Sequence, residues 1–110
     1  MSKAESSDAR VVLMTAPDVD QAEALARAIV GERLAACVNL LPGARSVYRW
    51  EGAVEMSSEV LMIAKTSADQ LHALEERVAE LHPYEVPEFV ALDPTHVAPK
   101  YLAWLVEATL

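Results

Sequence analysis

Apolar and polar positions along this chain follow two different rhythms, and the changes of rhythm mark its elements. Val11 to Thr15 (VVLMT) is a short unbroken apolar run, the pattern of a strand covered on both faces. Asp18 follows, with Gln21 three places on, a capping-box spacing that predicts a helix start. Ala22, Leu25, Ala26, Ile29, Val30 and Leu34 then recur at helical spacing, with Gly31 weakening the last turn. From Ala35 the period falls to two: Cys37, Asn39 and Leu41 take one side, Val38 and Leu40 the other. Pro42-Gly43 interrupts this strand and Arg45 to Trp50 resumes it, so it is expected to be bent and to lie at a sheet edge, where a missing N–H is tolerated.

Glu51-Gly52 has the composition of a hairpin turn, and Val54 to Thr66 is the return strand, strongest at Val60 to Ala64. Ser67 with Gln70 repeats the capping-box spacing ahead of a second helix with Leu71, Leu74, Val78 and Leu81 on its buried stripe. Val86 to Leu92 is expected to be a full strand. A terminal helix opens near Pro99, a residue suited to a first helical position, and carries Leu102, Leu105 and Val106 on one face.

The order β-α-β-β-α-β plus a helix predicts an α+β fold, the ferredoxin-like split-βαβ sandwich, with helices on one face of an antiparallel sheet. Its second strand lies at an edge, is the longest of the set, and carries Val47, Tyr48 and Trp50. Long apolar edges recruit other chains, so these three are expected at a subunit interface. Residues 35–67 hold Arg45, Arg49 and Lys65 against Glu51, Glu55 and Glu59, so the hairpin is neutral inside an acidic protein, which agrees with a buried interface.

At 110 residues the chain suits one domain, residues 10–110, behind a polar tail, residues 1–9, expected to be disordered. The tail has no apolar signal core and no run could span a bilayer, which points to the cytoplasm and to no membrane insertion. A formal charge of −8 repels phosphate backbones, so nucleic acid is not an expected partner. The single cysteine, Cys37, rules out an intrachain disulfide and any paired-cysteine metal motif.

Little local sequence reads as an active site. The three glycines form no phosphate-binding loop, and no nucleophile–base pair can be named, so an enzyme is not expected. The densest polar cluster is His82-Pro83-Tyr84-Glu85-Val86-Pro87-Glu88. Two prolines stiffen it, which suits either a plain helix-to-strand connector or a rigid mount for function. Cys37 is either a small buried hydrophobe or a soft thiolate ligand needing partners from elsewhere in the fold. Glu59 and Lys65 share one side of a strand, where they either line a pocket or face solvent. Tyr48, Trp50, Tyr84 and Tyr101 read as interface or core packing.

Taken in order, Leu34-Ala35-Ala36-Cys37-Val38-Asn39, Pro42-Gly43, Tyr48-Arg49-Trp50-Glu51-Gly52, Glu59-Val60-Leu61, Lys65-Thr66, the His82–Glu88 cluster and Tyr101-Leu102-Ala103-Trp104 resemble the CutA divalent-cation-tolerance family. The resemblance runs from about Val11 to Trp104. It implies a homotrimer whose long hairpins pair between subunits, an architecture similar to the P-II-like signalling proteins. It also implies an association with copper or another divalent cation, with Cys37, His82 and Glu85 as candidate metal ligands at intersubunit sites. The alternative is a signalling or scaffold trimer that binds a small molecule or a protein in clefts lined by Glu59, Lys65 and Tyr84. Ala16 stands where some relatives carry a second cysteine, so two thiolates from one subunit are not available to a metal.

Overall fold

The computed structural model describes residues 4–110. The expected tail therefore falls partly outside the described residues, at 1–3; within it, Ser6–Asp8 form a 3-10 turn and Ala9 opens the first strand. The elements are β1 (Ala9–Ala16), α1 (Val19–Gly31), β2 (Cys37–Trp50), β3 (Ala53–Ser67), α2 (Leu71–Leu81), β4 (Val90–Leu92) and α3 (Pro99–Ala108). The strands form one antiparallel sheet in the order β2-β3-β1-β4, which puts β2 at an edge and gives the split-βαβ topology.

Side-chain alternation divides the sheet into two faces. On one, Val12, Met14 and Ala16 of β1 and Val60, Met62 and Ala64 of β3 meet Ala22, Leu25 and Ile29 of α1 and Leu74 and Val78 of α2, all buried. On the other, Val11 and Leu13 are only half-buried, so the apolar run in β1 is not fully covered on its second face. There α3 reaches Ala9 and Ala36 through Leu102 and Leu105, at one end of the sheet. Val30 and Leu81 fall at the margins of their helical stripes and stay exposed.

Two helix starts with the same sequence spacing behave differently. The Asp18 side chain accepts from the Gln21 backbone N–H at 2.8 Å, and Gln21 Nε2 returns a bond to Asp18 Oδ2 at 2.9 Å. Ser67 caps nothing with its side chain; a 3-10 turn over Ala68–Gln70 intervenes, and α2 starts only at Leu71. The reason is tertiary: Gln70 Nε2 donates to the Thr109 carbonyl at the end of α3, at 2.9 Å, so it does not close a box. The final strand is also shorter than expected. Only Val90–Leu92 pair, with Val11–Leu13, because Pro87 has no N–H to give a ladder and the preceding residues are held in a loop by side-chain bonds.

The hairpin is long and mostly unsupported. β1 ends at the pair Ala16↔Val60, whereas β2 and β3 continue from Ala44↔Glu59 to Trp50↔Ala53 with no third strand beside them among the described residues. A bulge between Leu41 and Ala44, with Gly43 at φ 84°, bends β2 where Pro42 interrupts the ladder. Glu51 and Gly52, at φ 48° and 83°, make the tight turn, whose left-handed backbone matches the strand twist. The ribbon draws the molecule out to 52 × 26 × 22 Å.

Candidate functional site

The loop that leaves α2 is fixed to the sheet by side chains of the His82–Glu88 cluster. His82 is buried, its Nε2–H donating to the Thr15 carbonyl at 2.7 Å, while Nδ1 accepts from the Tyr84 backbone N–H at 3.1 Å. Both ring nitrogens are thus engaged, and the pattern requires the proton on Nε2. The Tyr84 ring lies against His82 with centroids 4.7 Å apart, and its Oη donates to Glu59 Oε2 at 2.8 Å.

Glu59 is only 9% exposed, yet it stays an anion-favouring group. Burial pushes its carboxyl up, but the hydroxyls of Ser46, Tyr84 and Thr15 together outweigh that and hold it below the ordinary range. The partner pays the converse: burial first, and then the bond to Glu59, raise the Tyr84 phenol well above its ordinary value. At neutral pH the pair is a charge-assisted hydrogen bond from a phenol to a carboxylate.

This pair lies on a groove of about 760 Å³ between the unsupported hairpin and the loop. Tyr48, Trp50, Glu85 and Glu88 also line it, with Val47 and several hydroxyls, and among the described residues no Lys, Arg or His side chain does. Glu59 and Tyr84, expected to line a pocket, and Val47, Tyr48 and Trp50, expected at an interface, therefore border one cleft. Lys65 lies elsewhere, bonded through Nζ to Asn39 Oδ1 across the β2–β3 ladder.

Cys37 pairs across the sheet with Lys65, which in turn pairs with Val11. His82 is bound at Thr15, four residues along β1 from Val11, a distance of ~13 Å on strand geometry. The Cys37 thiol instead meets Tyr101 Oη of α3 at 3.4 Å, and this contact, more than burial, pushes the Tyr101 phenol up to about 12. Within one chain, Cys37, His82 and Glu85 do not form a metal site: among the described residues no group of three or more His, Cys, Asp or Glu side chains is placed to hold an ion. A site using these donors has to draw on more than one copy, and His82 has to release one of its bonds.

The contacts made by Thr15, Ser46 and Tyr101 are not among those expected from the sequence. Ser46 could have been found, because alternation resumed after the bulge places it with Tyr48 and Trp50. The Thr15 carbonyl and the Tyr101 hydroxyl meet partners 67 and 64 residues away, and no local pattern reports such contacts.

The unsupported hairpin, the braced loop and the split-βαβ core together define a ferredoxin-like domain with a lateral cleft, and comparison with known proteins gives the family. The family described as CutA1 divalent ion tolerance protein matches residues 10–108, and the chain belongs to it. It is 50% identical to the divalent-cation tolerance protein CutA of Thermus thermophilus over 99 residues, covering 90% of this chain and 96% of the relative. Among solved structures, CutA from Xylella fastidiosa superposes with a TM-score of 0.91 at 42% identity, covering 94% of this chain and 99% of that one. CutA from Archaeoglobus fulgidus, described as a periplasmic divalent cation tolerance protein, superposes at 0.90 with 30% identity, covering 93% and 99%. The family is named for tolerance and not for a reaction. Among the described residues, no helix is long and apolar enough to cross a membrane.

Proposed function

We propose that the protein is a homotrimeric binding protein of divalent-cation tolerance, not an enzyme, held together through the hairpin residues Val47, Tyr48 and Trp50. One observation carries the assembly: the two-stranded extension of the sheet leaves Val47, Val54 and Met56 at 64%, 68% and 60% exposed. A two-stranded ribbon is at best marginal alone in water, and this one presents its apolar side chains where a neighbour can cover them. The half-buried second face of β1 supports the same reading, since another subunit can complete its cover. We place the protein in the cytoplasm.

A divalent cation is the ligand class the family name favours, and copper is the one we propose, because a thiolate and an imidazole suit it. In this proposal the cation sits between subunits, with Cys37 as the soft donor, Glu85 as an exposed carboxylate and His82 as the imidazole that must rotate to take part. Isothermal titration with copper at high salt tests it, because salt screens uptake by the −8 surface. A saturable site lost in Cys37→Ser supports the proposal; a weak, unsaturable signal unchanged by the substitution refutes it.

The groove favours a second reading, a small-molecule or protein ligand held at Glu59 and Tyr84. A thermal-shift screen tests it, since a ligand that binds only the folded protein raises Tm.

A further inference from the structure

Glu59 is 9% exposed and makes no ion pair among the described residues. Buried charges are as a rule paired, so a carboxylate without a counter-charge in its own chain points to a cation from outside it. Its Oε2 accepts from Tyr84 Oη, and the Ser46 and Thr15 hydroxyls that favour the anion stand nearby without closing a bond on Oε1. No buried side-chain polar atom among the described residues lacks a partner, so Oε1 is not enclosed: it opens on the groove that Glu59 lines. A free acceptor on a nearly buried anion thus faces a cavity of about 760 Å³, a size that suits a small organic ligand.

The walls narrow the chemistry of that ligand. Among the described residues no Lys, Arg or His side chain lines the groove, and Glu85 and Glu88 add two carboxylates, so an anion is repelled. A bare metal ion lacks a ligand set there, because among the described residues no group of three or more His, Cys, Asp or Glu side chains is placed to hold one. What the groove does offer is a carboxylate beside aromatic rings. Tyr84 is bonded to Glu59, and Tyr48 and Trp50 fall on one side of β2, two residues or ~7 Å apart on strand geometry. Aromatic faces attract organic cations, and a guanidinium or primary ammonium also brings the N–H that Oε1 can accept.

We propose that the groove binds a small organic cation with N–H donors, a guanidinium or primary ammonium compound, anchored on Glu59 Oε1 with its body against Tyr48 and Trp50. The inference rests on the groove reading above and adds the charge and donor chemistry of the ligand. Glu59 pairs with Ala44 at the root of the hairpin and Trp50 with Ala53 beside its turn, so the charged end lies at the root and the body runs outward. Tyr48 and Trp50 also belong to the contact proposed for the trimer, which sets the outer end of the ligand at the subunit boundary. Charge governs selectivity: a neutral isostere keeps the apolar contact and loses the charge-assisted bond.

Butylguanidinium and its neutral isostere butylurea separate charge from shape. Each is titrated calorimetrically into the wild-type protein at high salt, which screens uptake by the −8 surface far more than a nearly buried pair. The expected result is saturable binding of butylguanidinium, about tenfold or more tighter than butylurea and weakened by a similar factor in Glu59→Gln. Circular dichroism shows whether Glu59→Gln folds, and the wild-type comparison needs no variant. Butylurea bound as tightly as butylguanidinium, or an unchanged affinity in folded Glu59→Gln, would overturn this inference and leave the groove reading standing. So would a wild type that ignores butylguanidinium while another compound in the thermal-shift screen raises its Tm. A wild type that binds neither butylguanidinium nor any compound in that screen would overturn both.

Discussion

Tyr84 Oη donates to Glu59 Oε2 at 2.8 Å, tying the loop after α2 to a strand residue 25 positions earlier. The bond shapes the wall of the groove, because it holds the loop against the root of the hairpin. It also keeps a nearly buried carboxylate supplied with a donor.

Removing that donor should be costly for a single atom. Tyr84→Phe is expected to lower stability by about 1–3 kcal/mol, since Glu59 stays buried with one bond fewer. Urea denaturation at neutral pH gives the value. A loss within experimental error of zero would mean that the loop is held by His82 and the prolines alone.

The pH dependence follows from the direction of the Glu59 shift. Its folded carboxyl lies below the ordinary value of 4.5, so its stabilisation is present above that value and is lost as pH falls through the lower folded value. Wild-type Tm should therefore fall more steeply than that of Glu59→Gln on acidification below about pH 4.5. Parallel curves for the two proteins would show that Glu59 titrates as it does in the unfolded chain.

The two helix starts give a paired test. Asp18→Ala removes an observed cap and should cost about 1 kcal/mol, whereas Ser67→Ala removes none and should stay within about 0.5 kcal/mol. Chemical denaturation of both variants checks the contrast. Equal losses would mean that Ser67 caps in solution.

That contrast also marks how far the sequence is legible. Local signals are legible there: the Asp18 cap, the bent edge strand at Pro42-Gly43, the Glu51-Gly52 turn and Pro99 opening α3. What failed was set by distant partners. Gln70 is taken by Thr109, and the run from Val86 to Leu92 pairs only from Val90 because the His82–Tyr84–Glu59 contacts hold the loop away from the sheet edge. For the site, residue types pointed to Glu59, Tyr84 and the hairpin aromatics, which the fold gathers on one groove. They could not reveal that His82 has both nitrogens engaged, or that Cys37 faces Tyr101.

The Cys37–Tyr101 contact is testable by itself. The Tyr101 phenol is pushed up to about 12, first by Cys37 and then by burial, so its stabilisation is present below the ordinary value of 10.0 and is lost as pH rises through the folded value. Ultraviolet titration of Cys37→Ala should show one tyrosine ionising at lower pH than in wild type. Superimposable titrations would mean that the thiol and phenol do not interact.

The central claim is that the exposed hairpin is a subunit interface. Sedimentation equilibrium of the wild-type protein at micromolar concentration, beside Val47→Glu, tests it most directly. The account predicts a wild-type mass of three chains of 12.0 kDa and a shift toward single chains in the variant. A wild-type protein that sediments as a single 12.0 kDa chain would contradict it.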